Sequence, residues 1–214
     1  MLVKSPPQNG HTDPRTKRTR ELILKAFSEL IEEKGFDSIT VQEIADRATV
    51  NRATFYAHFE DKYLLLDYSF AEWFKQVLRS NLPPAAPCSP QNLQLLIQTV
   101  CEFLGEIRDH CVRSVGAQFD SLIERQVKMQ LYDCLLGWLN TQDTDPADGF
   151  NQSELRATVA SWAIYGAALR WSQGERQEPV AKFAHQVLPI IMAGLDMPGG
   201  SSPSKSASRR PKKI

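Results

Sequence analysis

Between Thr40 and Lys62 the chain reads TVQEIADRATVNRATFYAHFEDK, and no other stretch limits the possible folds as tightly. Thr40 and Glu43 stand at the spacing of a reciprocal capping box, so a helix starts here. Val41, Ile44 and Ala45 give that helix one apolar face. A turn falls near Ala48–Val50, and Asn51 is placed to cap a second helix. On the second helix Phe55 and Phe59, four residues apart, point inward together. The same geometry turns Arg52, Thr54, Tyr56 and His58 away from the core. Two short helices, a tight turn and an outward row of donors form the layout of a helix-turn-helix DNA reader. Those donors suit base edges and phosphates.

Charge agrees with this only locally. The chain of 214 residues carries 25 Lys and Arg against 25 Asp and Glu, a formal net charge of zero. A nucleic-acid partner must therefore be met by a local cluster. Arg15, Lys17, Arg18 and Arg20 crowd the start of the first helix, where positive charge opposes the macrodipole. That local cost favours a phosphate or minor-groove role for them. Arg52, His58 and Lys62 surround the second helix of the pair. A hydrophobic content of 42% is that of a globular protein, and the length allows one large domain or two modest ones.

The periodicity predicts an all-α chain. Apolar residues at helical spacing give a first helix over about 16–34, closed by Gly35, with Phe36 folding back on its end. A fourth helix runs from about Lys62 to Arg79, with Leu65, Leu66, Tyr68, Ser69, Trp73 and Val77 on its apolar face. Four prolines in Asn81–Pro90 mark the clearest internal break. Further helices are expected over 91–108, 118–139, 154–173 (capped by Ser153) and from Pro179 to about Leu195, where Pro189 should bend the last one. The organisation read from this is a disordered arm over 1–14, a helix-turn-helix domain over 15–62, a connecting helix over 63–80, a Pro-rich linker over 81–90, a helical domain over 91–197 and a disordered basic tail over 198–214.

Residues 18–66 resemble the N-terminal domain of the tetracycline-repressor (TetR) family of bacterial transcription regulators. The resemblance rests on ILKAFSELIEEKGFDSITVQEIA and on NRATFYAHFEDKYLLL, above all on the aromatic-Tyr-x-His-Phe cluster followed by Lys. It implies a three-helix helix-turn-helix DNA-binding domain followed by a helical ligand-binding and dimerisation domain. It implies base contacts from Arg52, Thr54 and Gln42, and phosphate contacts from Thr40, Tyr56, His58 and Lys62. Ala53 is short but within reach of a thymine methyl. The basic residues Arg15, Lys17 and Arg18 complete the expected DNA-binding set. The chain departs from the family at Thr49, where relatives often place Gly. Either the turn differs there, or a β-branched residue is held in a strained conformation.

The resemblance further implies a homodimer on double-stranded operator DNA, acting as a repressor under control of an unknown small-molecule effector. Leu155, Val159, Trp162, Gly166 and Leu169 step by four and three, the seam spacing of packed helices. With Val187 and Ile191 they form the expected dimer interface. Phe103, Phe119, Trp138, Trp162 and Tyr165 are the candidates to line an effector pocket. The competing reading is a ligand-binding coactivator on the same scaffold that does not itself read DNA.

Little points to catalysis. No Ser/His/Asp set, paired carboxylates or Gly-rich phosphate loop stands out, so no enzyme is expected and no cofactor is implied. His110 beside Cys111, with His185 distant, lacks metal-ligand spacing, so no metal is expected either. Cys88, Cys101, Cys111 and Cys134 show no paired spacing, and free thiols are the expectation. No apolar run approaches the ~20 residues of a membrane span, and no signal-peptide core is seen near Met1. The expected compartment is the bacterial cytoplasm.

Overall fold

The computed structural model describes residues 13–83, 87–110, 117–141, 152–174 and 178–195. The expected arm before Asp13, the tail after Leu195, Cys111 and the loop over 142–151 lie outside them. Among the described residues all regular structure is helical, in eight helices. Two compact units result. One holds the residues up to Arg79 together with Gly105–Gln130; the other holds Ser80–Leu104 together with those from Leu131 onward.

In the first unit, helix α1 runs Pro14–Lys34. Asp13 accepts a hydrogen bond from the Arg15 N–H at 3.1 Å, and Pro14 occupies the first turn, where its missing donor costs nothing. Arg15, Lys17 and Arg18 therefore lie in the first turns of this helix. Ile23, Ala26, Phe27 and Leu30 are buried at three- and four-residue steps. Gly35 ends α1 with φ 75° and ψ 159°, a region open essentially to glycine alone. It lets Phe36 fold back edge-on against Phe27, centroids 6.1 Å apart.

Helices α2 (Val41–Arg47) and α3 (Arg52–His58) follow, then α4 (Lys62–Asn81). The buried stripe of α4 is Leu66, Phe70, Phe74 and Leu78, with Leu65 beside it. The apolar face read from the sequence was rotated from this one: Trp73 is 40% exposed. A four-residue step of Leu and Phe sets the inward direction, and Tyr68 and Trp73 flank it. Within this unit α4 is tied to helix α6 (Ala117–Asn140) by polar contacts. Asp67 Oδ1 accepts from Arg125 Nη2 and from Gln126 Nε2, both at 2.6 Å. Gln130 donates to the Ala71 carbonyl at 2.6 Å, and Phe70 meets Phe119 edge-on at 5.6 Å.

The second unit is built from the first part of helix α5 (Pro90–His110), the last part of α6, and helices α7 (Gln152–Gln173) and α8 (Val180–Gly194). Leu93, Leu96, Ile97, Val100 and Cys101 of α5 are fully buried. Helix α7 starts two residues earlier than the sequence suggested, so Ser153 is a buried residue of its first turn and not its cap. Its buried face, Ala157, Ala160, Ser161, Ile164, Tyr165, Ala168 and Ser172, uses small residues at helical spacing. The buried Ser161 and Ser172 hydroxyls donate to carbonyls one turn back, at 2.8 Å each, so neither is an unpaired buried donor. Trp171 Nε1, near the end of α7, donates to the Glu178 carbonyl just before α8 at 3.1 Å.

Candidate nucleic-acid interface

The pair α2–α3 is positioned by capping at both starts. The capping box forms in full: Thr40 Oγ1 accepts from the Glu43 N–H at 3.3 Å, and Glu43 Oε2 accepts from the Thr40 N–H at 2.9 Å. Asn51 Oδ1 accepts from the Thr54 N–H at 2.7 Å and caps α3. Between them the turn closes through Val50 N–H on the Ala45 carbonyl at 2.9 Å. Thr49 sits in that turn with φ 58°. Of the two alternatives read from the sequence, the strained β-branched residue is the one observed.

An ion cluster locks α2 onto α1. Arg47 forms a fork on the Glu33 carboxylate at 2.7 and 2.8 Å and reaches Glu29 at 3.4 Å. The paired hydrogen bonds lower the pKa of Glu33 and raise that of Arg47. Lys34 is paired closely with Glu43. Hydrogen bonds from Lys34, and then from Thr40, hold the Glu43 carboxyl down at about 2.

On this frame the outward residues of α3 divide in two. Arg52, Ala53 and Tyr56 are exposed, and Arg52 Nη2 donates to the Tyr56 hydroxyl at 3.1 Å. That contact aligns a guanidinium and a phenol along one face. Gln42 on α2 is also exposed and donates to Asp46 at 2.7 Å. Phe55 and Phe59 are buried as expected. The other residues are more committed. The Thr54 hydroxyl donates to Asn51 Oδ1 at 2.9 Å, and the Thr40 hydroxyl donates to Glu43 Oε2 at 2.8 Å. His58 is half-buried; desolvation first, and then the Arg20 charge, lower its pKa. The ring is thus neutral at neutral pH, with one nitrogen as donor.

Lys62 departs furthest from expectation. Its ammonium, expected on a phosphate, turns inward and donates to the carbonyls of Phe36, Asp37 and Ile39 at 3.2, 3.2 and 2.9 Å.

The basic start of α1 presents Arg15, Lys17 and Arg18 to solvent. Arg20 lies over the Tyr68 ring at 5.3 Å, and Tyr68 meets Phe59 at 5.6 Å, which brings this turn of α1 to the end of α3. Sequence reasoning placed Arg20 in the basic run but missed this role. Its partner is 48 positions away, and no local pattern signals the pair.

In the second unit, Leu155, Val159 and Trp162 of α7 are 52%, 55% and 61% exposed, and Gly166 is exposed on the same face. Leu169 and Val187 are half-buried. On α8, Ile191 belongs to the core of the protomer, while Ile190 is 71% exposed. Trp162, expected both at an interface and in a pocket, lies on the exposed side of α7. Phe103, Trp138 and Tyr165 are buried in this unit, and Phe119 packs against Phe70 in the first unit. The free thiols Cys88, Cys101 and Cys134 are shielded: burial pushes Cys101 and Cys134 up to about 12, away from reactive thiolate. Among the described residues no group of His, Cys, Asp and Glu has metal-holding geometry, and no helix is long and apolar enough to cross a membrane.

Residues 23–68, which contain this whole helix-turn-helix frame, match the family described as bacterial regulatory proteins, tetR family. This domain is thus similar to that of the tetR family, and the match covers the helix-turn-helix frame rather than the rest of the chain. Over 63 residues it is 44% identical to the uncharacterized HTH-type transcriptional regulator YdeS of Bacillus subtilis, covering 29% of this chain and 32% of that one. It is 32% identical over 63 residues to the HTH-type dhaKLM operon transcriptional activator DhaS of Lactococcus lactis, covering 29% and 34%. In both, the matched stretch spans about a third of the relative's own length. The fold extends further. A TetR-family regulator from Streptomyces coelicolor A3 superposes with a TM-score of 0.51 at 16% identity, covering 87% of this chain and 99% of that one. The tetR-family fold therefore continues beyond the domain where sequence identity is visible.

Proposed function

We infer that this chain is a sequence-specific DNA-binding transcription regulator that acts as a homodimer. The observation that carries the reading is the exposed row of Arg52, Tyr56 and Gln42 on a doubly capped helix-turn-helix frame. In this reading α3 enters the major groove, and Arg52 reads a base edge with its fork. Gln42 and Ala53 add base contacts, while Tyr56, His58 and the exposed Arg15, Lys17 and Arg18 hold phosphates. Thr40 and Thr54 contribute mainly through the caps that aim the helices. The dimer forms through the exposed face of α7 with Val187 and Ile190 of α8.

Regulation in this reading is repression in the bacterial cytoplasm, relieved when a small apolar effector enters the second unit near Phe103, Trp138 and Tyr165. The effector would favour a state whose two reading heads no longer match adjacent half-sites. DhaS is named as an activator, so direction of control is the finer part of the proposal. No catalytic role is assigned.

Selection of duplexes from a random pool, followed by binding titrations, tests the core of it. Arg52→Ala should cost ~1–3 kcal/mol on the selected site and relax preference at one base position. Unchanged affinity and preference would remove Arg52 from base reading. The coactivator alternative requires that the wild-type protein select no duplex at all.

A further inference from the structure

We propose that Lys62 is an internal clamp: a positioning residue that fixes the start of α2 by holding three loop carbonyls, and does not contact DNA phosphate. The proposal deepens the DNA-reading function and rests on it for its consequence, though the clamp itself is a property of the free protein.

An ammonium has three donors, and here all three find backbone carbonyls, those of Phe36, Asp37 and Ile39. The Nζ atom also lies 4.6 Å from the centroid of the Phe36 ring and 5.8 Å from that of Tyr63. Cation–π attraction therefore acts on the same side chain from two rings. Phe36 and Ile39 are buried, so the loop that carries these carbonyls is anchored in the core. A flexible four-carbon stem with a compact, rotatable head suits convergence on three oxygens; a planar guanidinium does not.

The location gives the contact its consequence. Lys62 is the first residue of α4, where its charge opposes the helix dipole. The backbone donors there are already taken, because Asp61 Oδ1 accepts from the Tyr63 and Leu64 N–H groups at 2.8 and 2.7 Å. The start of α4 is thus closed on itself rather than left open for an anion. The clamped loop runs from Phe36 directly into Thr40, the cap of α2. Helix α3 then follows α2 through the turn closed by Val50 on Ala45. Holding 36–39 from α4 therefore sets where the helix-turn-helix pair begins, and with it the approach of Arg52 to a base.

Amine labelling of the wild-type protein, read by mass spectrometry, tests the clamp without any variant. Lys62 should label slowly, and equally slowly with and without the selected duplex, while exposed Lys17 labels fast. Lys62 labelling as fast as Lys17 in the free protein, and protected only by DNA, would overturn the proposal. Lys62→Met and Lys62→Arg then separate positioning from charge. Both should speed amide hydrogen exchange over residues 36–45 and weaken duplex binding, with the salt slope of wild type. A Met variant whose slope falls by about one unit, rescued by Arg with exchange unchanged, would make Lys62 a phosphate contact instead. If the wild-type protein selects no duplex, the DNA reading fails, and labelling and exchange still decide the clamp.

Discussion

At Thr49 the turn between α2 and α3 holds a β-branched residue at φ 58°, where L side chains crowd the backbone. The turn keeps its hydrogen bonds, Thr49 N–H to Asp46 and Val50 N–H to Ala45, so the strain is local and offset by its neighbours. Thr49→Gly removes the crowding but frees the unfolded chain. The first effect wins, by up to about 1 kcal/mol, because left-handed geometry costs ~1–2 kcal/mol for such a residue. Chemical denaturation should show the midpoint rising with an unchanged slope; a lower midpoint would mean that the Thr49 side chain makes a compensating contact. The Thr49 oddity was legible in the sequence as a departure from a glycine pattern. The fate of Lys62 was not, because sequence marks a cation without marking which carbonyls its stem can reach.

Helix pairs were easier to read than the faces they present. The capping box, the Asn51 cap and the buried Phe55 and Phe59 follow from local spacing, and local spacing is what a sequence carries. On α4 and α8, apolar residues occur on more than one face, as at Ile190 and Ile191, and only packing decides which goes inward. The same limit applies to Trp162, which fits an interface and a pocket equally well on paper. The α1–α2 ion cluster yields an element-scale prediction. The ordinary value for Glu43 is 4.5, and its folded value is about 2. Its contribution is therefore fully present above pH 4.5 and is lost as pH falls through about 2. Glu43→Gln should flatten the acid limb of the stability curve in that window, and added salt should shrink the difference because the pair is exposed. Parallel acid limbs for both proteins would mean that Lys34 and Thr40 do not hold the carboxylate in solution.

Helix α7 offers a second element-scale test. A Cβ added at Gly166 would meet nothing within 4 Å in the protomer, so the fold itself does not require glycine there. Glycine in a helix interior costs roughly 1 kcal/mol against alanine, and a close neighbour on the exposed face would explain why it is kept. Gly166→Leu should leave the melting of the protomer intact, or raise it, while sedimentation shows a monomer. Trp162→Glu on the same face should do likewise. A normal Gly166→Leu dimer would move the interface off this part of α7.

At the scale of the whole molecule the formal charge is zero, so long-range attraction to DNA is weak, and in the proposed dimer two reading heads act together. Each protomer carries one short α3, and one such helix touches only a few bases. A dimer adds a second at no further translational cost, so affinity depends on both half-sites lying on one face of the duplex. Inserting five base pairs between the half-sites turns one of them about half a helical turn away. Affinity for that duplex should fall to that of a single half-site. The Gly166→Leu monomer, with only one head to place, should bind the native and the lengthened duplex alike. Electrophoretic mobility shifts on four combinations, two proteins by two duplexes, measure this directly. If wild type tolerates the insertion, the heads act independently and the proposed dimer does not set half-site spacing. If the monomer variant remains as sensitive as wild type, the heads are joined through a surface other than α7.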